Sequence, residues 1–189
     1  MVYLPIFALL LTTSMNHNTP PGRKPSRWRL YVSTQWRRLF GLNVSKIDDL
    51  LFVGGQFTPA EWRELYALGI RAVLSLQAEY EDVFEGPPPQ RTLRLLVQDY
   101  TAPTIEQLRQ AVDFINECRT EKLPVFVHCH AGVGRASLTA SAFLISQGYS
   151  ANDALATIRE ARPIVYLNRS QHARLLEWEQ FLRNSEQNS

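Results

Sequence analysis

An α/β domain with a central, mostly parallel sheet flanked by helices is the fold class this sequence predicts. Short apolar runs of β type alternate along the chain with longer stretches of helical period. The helical stretches carry start and stop signals, with Thr58 and Thr104 before two of them and Gly69 and Gly148 after two. The apolar run 123–127 leads through a glycine-bearing turn into Arg135 and a further helical stretch. That order is strand, tight loop and helix N-terminus.

At 189 residues the chain has room for one domain and a tail. Residues 2–12 are apolar but too few to span a bilayer, which takes about 20. No basic flank precedes them and no small-x-small cleavage site follows. Two readings stand for this run: a mis-assigned start, with translation beginning at Met15, or a weak membrane anchor. Residues 16–26 are polar and proline-rich and read as a linker, so 1–26 are expected to be a flexible or mis-assigned tail. Next, Trp28, Tyr31, Val32, Trp36, Leu39 and Phe40 recur at helical spacing with arginines between, an amphipathic helix within 27–44. It either packs on the domain edge or lies on an anionic membrane surface, where arginine and tryptophan suit the headgroup layer.

The domain proper is expected over 45–184, with 185–189 as a tail. Residues 50–53 read as a short strand ending at Gly54-Gly55. Thr58 with Glu61 three residues on reads as a capping box, opening a helix to about Leu68 that Gly69 ends. Residues 71–76 and 92–97 read as strands. Thr104 caps a helix to about Thr120 with Leu108, Val112, Phe114 and Ile115 on its apolar face. The buried strand 123–127 follows. Helices over 135–147, 151–162 and 168–183 complete the chain, and no internal repeat is visible.

The net charge of +2 conceals an asymmetry: Arg23, Lys24, Arg27, Arg29, Arg37 and Arg38 lie in the first 40 residues without an acid, and the remainder is mildly acidic. That balance gives no reason to expect a nucleic-acid partner. The two cysteines, Cys118 and Cys129, make no disulfide framework, and an unpaired reactive thiol suits a reducing, cytoplasmic compartment. No zinc-type Cys/His spacing occurs, so neither metal nor cofactor is expected. The chain is expected to act as a monomer, with a peripheral membrane contact through residues 27–40 as one option.

The chemistry is written in Val127-His128-Cys129-His130-Ala131-Gly132-Val133-Gly134-Arg135. Backbone N–H groups of such a loop point inward as an anion-binding nest, and the helix end adds partial positive charge. The same field favours an ionised, nucleophilic sulfur. Gly132 and Gly134 let the backbone approach the anion closely, and His130, Ala131 and Val133 lend amides. Arg135 adds a planar fork matched to phosphate oxygens. Together these parts imply phosphoryl transfer through a cysteinyl-phosphate. The leaving oxygen then needs a proton, and Asp99, just past the strand 92–97, is the general-acid candidate. Its exchange of roles, acid first and base second, predicts a bell-shaped pH profile. His128 points to the opposite face of its strand from Cys129 and reads as a buried orienter of the loop. Gln171 reads as a surface glutamine, with a water-positioning role as the alternative.

On His128-Cys129, Gly132 and Arg135, the chain resembles the cysteine-dependent protein tyrosine phosphatases with their Cys-x5-Arg signature, and its compactness resembles the dual-specificity branch. The resemblance covers roughly residues 45–182. It implies a phosphotyrosine-phosphatase-like single domain, Cys129, Asp99 and Arg135 as catalytic residues, and residues 130–135 as the phosphate-binding loop. Asp99 lies thirty residues before Cys129, as the family's acid does. One departure stands out: where the family carries Ser or Thr after the arginine, this chain has Ala136. Ser137 is one residue late and, on a helix, points elsewhere.

Glu79-Tyr80-Glu81-Asp82 resembles the acidic stretch of mitochondrial-type phosphatases of phosphatidylglycerophosphate, and Gly54-Gly55-Gln56 looks like the same subgroup. A solvated loop is the plain alternative for 79–82. The expected substrates are therefore a phosphoprotein, carrying phosphotyrosine with phosphoserine or phosphothreonine, or else an anionic phospholipid. A weakly active phosphate-binding module and a rhodanese-like sulfurtransferase are the readings from other classes. Full activity in an Asp99→Asn variant would favour the sulfurtransferase.

Overall fold

The computed structural model describes residues 26–187. The readings of residues 2–25, as anchor, mis-assigned start or linker, lie outside them. The elements are α1 (Arg27–Phe40), β1 (Val44–Lys46), β2 (Leu51–Gly54), α2 (Glu61–Ala67), β3 (Ala72–Gln77), β4 (Arg91–Val97), α3 (Ile105–Thr120), β5 (Val125–His128), α4 (Arg135–Ser146), α5 (Ala151–Ala161) and α6 (Arg169–Gln187).

The strand order is β1-β2-β5-β3-β4. β2, β5, β3 and β4 run parallel, and β1 pairs antiparallel with β2. Leu51–Gly54, Ala72–Gln77 and Val125–His128 are buried throughout, as parallel strands covered on both faces must be. β1 is absent from the sequence reading, because three residues carry no period to detect. The last helix runs to Gln187, past the Arg183 expected from its pattern.

The larger core lies between the sheet and α3–α6, with Leu74, Leu76, Val127, Leu138, Phe143 and Trp178 among its members. A smaller aromatic core sits under α2, built from Phe52, Trp62, Leu65, Ile70, Val73 and Phe126. Residues 135–145 of α4 are all buried. The Thr139 and Ser141 hydroxyls are satisfied by donating to the carbonyls of Arg135 and Ser137 one turn back. Thr104 and Gln107 form the full capping box of α3. Thr58 and Glu61 exchange the same pair of bonds, although regular helix begins only at Glu61.

On α1, Thr34 is buried while Trp28, Tyr31 and Val32 are exposed. The helix packs beside β1 and turns aromatic surface outward. Among the described residues no helix is long and apolar enough to cross a membrane.

This topology positions the site. The chain crosses from β2 to β3 and only later fills the gap between them with β5. The loops after β2, β3, β4 and β5 therefore open on one sheet edge, at a switch in strand order, where open α/β sheets bind ligands.

Candidate active site

A cleft of about 380 Å³ opens at that edge, lined by Asp99, Tyr100, Cys129, His130, Ala131, Val133, Gly134, Arg135, Tyr166, Asn168 and Gln171. The cysteine, arginine and aspartate read from the sequence thus come together. Cys129 is buried, and Asp99 is half-exposed at the rim.

In the loop between β5 and α4 the carbonyls of residues 130–133 each accept a hydrogen bond, from outside the cleft lining or, for Val133, from its rim. The His130 carbonyl accepts from Gln56 N–H at 2.9 Å. That of Ala131 accepts from Asn43 Nδ2 and Arg162 Nη2 at 3.3 and 3.1 Å. That of Gly132 accepts from Arg162 Nε at 2.6 Å and Ser137 Oγ at 3.2 Å. That of Val133 accepts from Tyr166 N–H at 3.3 Å. Among the described residues, no amide of 130–134 donates to a protein acceptor. A loop with its oxygens tied out and its N–H groups unspent is an anion nest. Gly132 does not line the cleft. It has φ +66°, and a Cβ there would meet Gly54 O at 2.2 Å. It serves the loop's shape, by conformation and close approach.

Arg135 is 1% exposed. Its Nη1 donates to the carbonyls of Val97 (2.6 Å) and Leu76 (3.3 Å) and to Glu79 Oε1 and Oε2 (2.9 and 3.0 Å). Its Nε and Nη2 have no hydrogen-bond partner among the described residues. Nη2 lies 2.9 Å from Asp99 Oδ1, an ion-pair distance without hydrogen-bond alignment. The guanidinium is therefore anchored by one nitrogen and keeps its two-donor Nε–Nη2 edge unspent.

Behind the loop, His128 is fully buried, with Nε2 2.9 Å from Asp82 Oδ2. Its ring stacks on Phe126 and meets Phe57 edge-on. His130 Nδ1 is 3.0 Å from Gln56 Oε1. Burial pushes the Glu79 carboxyl up, but hydrogen bonds and the charge of Arg135 outweigh it and hold the group below its ordinary value. Among the described residues no His, Cys, Asp or Glu group is placed to hold a metal.

Several of these residues escaped the sequence reading. Glu79 and Asp82 belong to the acidic stretch 79–82, for which a solvated loop is the plain alternative. In the fold they hold Arg135 and His128, while Tyr80 and Glu81 between them stay exposed. Gln171, read as a surface residue, is 4% exposed and packs against Gly134, where a Cβ would come within 2.8 Å of its amide. It is buried because the start of α6 packs against the loop between β5 and α4. Arg162 is fully buried and braces two loop carbonyls from the end of α5. The Arg162-Pro163 step after a helical run signals a helix end and gives no sign of a brace. Ser137 points at the Gly132 carbonyl, away from the cleft.

A family model described as dual specificity phosphatase, catalytic domain, matches residues 51–181. The dual specificity protein phosphatase Mpk3 of Drosophila melanogaster is 31% identical over 142 residues, 74% of this chain and 34% of that protein. The human dual specificity protein phosphatase 12 is 37% identical over 103 residues, 53% of this chain and 30% of that protein. The chain thus spans about a third of the length of these curated relatives. Among solved structures, PTPMT1 in complex with PI(5)P superposes with a TM-score of 0.69 at 22% identity, covering 76% of this chain and 98% of the other. Tk-PTP in the active form gives 0.67 at 28% identity, covering 74% and 97%.

Proposed function

This chain belongs to the dual specificity phosphatase catalytic-domain family, and from that premise we propose that it hydrolyses phosphomonoesters through a phosphocysteine on Cys129. Phosphotyrosine, with phosphoserine and phosphothreonine, in proteins is the first substrate class. One observation carries the reading: the donors around the cysteine are unspent. Among the described residues the amides of 130–134 and the Nε–Nη2 edge of Arg135 make no hydrogen bond to a protein acceptor, Asp99 standing at ion-pair distance from Nη2 only. Buried donors without a hydrogen bond, such as Nε and Nη2 of Arg135, are costly and call for a partner. A phosphoryl group brings three oxygens to meet them.

The reaction follows from that placement. The phosphoryl oxygens take the loop amides and the arginine edge, which sets phosphorus in front of the Cys129 sulfur. The sulfur attacks, the P–O bond to the leaving group breaks, and Asp99 gives its proton to the departing oxygen. The amides and Arg135 act most strongly as charge spreads over the equatorial oxygens. Water then attacks the phosphocysteine while Asp99 takes its proton, and the P–S bond breaks to return thiolate and inorganic phosphate. The first half needs Cys129 ionised and Asp99 protonated together, so kcat/KM follows a bell-shaped pH profile, and Asp99 is ionised for the second half. Brief reaction with a labelled phosphomonoester, followed by acid quench, is expected to leave label on Cys129. Cys129→Ser is expected to abolish turnover, and undiminished activity in that variant overturns the proposal.

A phosphatase of anionic phospholipid is the second reading. It is favoured by the outward Trp28, Tyr31 and Val32 of α1, which has Arg29 exposed between them and no acid among residues 27–40. Such a face suits an anionic lipid surface in a cytoplasmic setting. The solved neighbour PTPMT1 was captured with PI(5)P. Turnover compared on a phosphotyrosyl peptide and on phosphatidylglycerophosphate vesicles ranks the two readings, and much faster lipid turnover puts the phospholipid first. Vesicle sedimentation that weakens with salt and with Trp28→Ala tests the helix by itself.

A further inference from the structure

Asn168 and Gln171 open α6 with a reciprocal box. Gln171 N–H donates to Asn168 Oδ1 at 3.0 Å, and Asn168 N–H donates to Gln171 Oε1 at 3.2 Å. Capping a helix uses only those two side-chain oxygens. The side-chain nitrogens are surplus to it, and both reach across the cleft to one segment. Asn168 Nδ2 donates to the Tyr100 carbonyl at 2.7 Å, and Gln171 Nε2 donates to the Thr101 carbonyl at 3.0 Å.

The segment so held is strained. Tyr100 has φ +60°, a left-handed conformation that a residue with a side chain seldom adopts. The residue is 82% exposed, so burial of its side chain does not offset the strain. Its N–H instead donates to Asp99 Oδ1 at 3.0 Å. Asp99 Oδ1 is the same oxygen that sits 2.9 Å from Arg135 Nη2. The left-handed turn, the orientation of the carboxylate and the two amide donors form one connected arrangement. Gln171 also lies against Gly134, which fixes the acid segment relative to the phosphate loop.

From this geometry we infer that Asn168 and Gln171 are positioning residues for the general acid, clamping the backbone of residues 100–101 so that Asp99 is held over the phosphate site before substrate arrives. The inference rests on the reading of Asp99 as the acid, and its test keeps the two separable.

Asn168→Ser keeps an oxygen that caps α6 but has no donor able to reach Tyr100. Asn168→Asp keeps a strong cap and likewise loses the donor, and it serves if the serine variant folds poorly. Both are assayed on phenyl phosphate, whose leaving group needs a proton, and on a dinitrophenyl phosphate, whose leaving group does not. A positioned acid contributes about 10²–10⁴ in rate. Loosening it is expected to lower kcat on phenyl phosphate by about tenfold or more. The activated ester should stay within about twofold, and the acid–base limbs of the pH profile should flatten. In an Asp99→Asn background, Asn168→Ser should cause no further loss on phenyl phosphate. Equal loss on both esters, or loss on neither, overturns the clamp. If Asp99→Asn itself shows no dependence on the leaving group, the assignment of the acid falls instead.

Discussion

His128 Nε2 lies 2.9 Å from Asp82 Oδ2, so a carboxylate from the loop after β3 holds the residue that directly precedes Cys129. Both partners are buried or nearly so. The imidazole is also confined by Phe126 on its face and Phe57 at its edge. Removing Asp82 leaves a buried ring nitrogen without its acceptor, which costs about 1–3 kcal/mol. Asp82→Ala is therefore expected to lower stability by that amount in urea unfolding. Asp82→Asn keeps an acceptor oxygen and should lose less than half as much. Equal losses from the two variants would show that the charge of the carboxylate is needed and that a neutral acceptor oxygen does not replace it.

The Glu79–Arg135 pair has a pH signature of definite sign. Arg135 holds the Glu79 carboxyl below its ordinary value of 4.5, although burial works the other way. A group whose folded value is depressed contributes stability above its unfolded value and loses it as pH falls through the folded one. Glu79→Gln is thus expected to be less stable than the parent at neutral pH, by about 1–2 kcal/mol. The gap should persist down to about pH 4.5 and close below it. Nη1 keeps the Val97 and Leu76 carbonyls in the variant, so the arginine is not orphaned and the fold survives. Unfolding midpoints of the two proteins across pH 3–7 check this, and a gap independent of pH counts against it.

What the sequence displayed and what it hid divide along chain distance. The loop between β5 and α4 was legible because its signature is local: strand, cysteine, two glycines and arginine within nine residues. Asp99 was legible from its place after a strand, and α3 from Thr104 at its cap. The braces were not legible. Asn43 meets Ala131 across 88 residues, Glu79 meets Arg135 across 56, and Asp82 meets His128 across 46. No periodicity links such pairs, since only the order of strands brings their loops to one edge. The turn at Tyr100 was hidden for another reason: it adopts a left-handed conformation without the glycine that would announce one. Gln171 misled because polar residues are mostly exposed, and only the approach of α6 to Gly134 buries it.

The two thiols are expected to differ sharply in reactivity. Cys118 is fully buried in the α3 face of the core, and burial, with Glu117 and Glu121 nearby, pushes its thiol up to about 11 against the pull of Arg91. At neutral pH it is a closed, uncharged thiol, and thiolate is the reactive form. Cys129 opens on the cleft beside the unspent amides. Native protein should take up one equivalent of iodoacetate, at Cys129, and inorganic phosphate should slow the reaction by competing for the nest. Cys118 should be labelled only after unfolding. Peptide mass spectrometry checks the positions, and early modification of Cys118 would contradict the packing of α3.

Ala136 sets the expected slow step. It is fully buried at the start of α4, one residue past Arg135. The neighbouring hydroxyl, Ser137 Oγ, donates to the Gly132 carbonyl at 3.2 Å, and Ser137 does not line the cleft. When water splits the phosphocysteine, the departing thiolate therefore has loop amides but no hydroxyl to receive its charge. A hydrogen bond to a charged group contributes about 1.5–3 kcal/mol, and each 1.36 kcal/mol is about tenfold in rate. Ala136→Ser places a hydroxyl on the helical turn that faces the loop. It should speed phosphocysteine breakdown about tenfold while leaving its formation nearly unchanged. Rapid-quench kinetics with an activated aryl phosphate separate the two: the parent should show a burst followed by slow turnover, and the variant a smaller burst with a faster steady state. Identical traces from the two proteins would mean that the thiolate is already fully stabilised by the backbone, and that the missing hydroxyl has no part in the slow step.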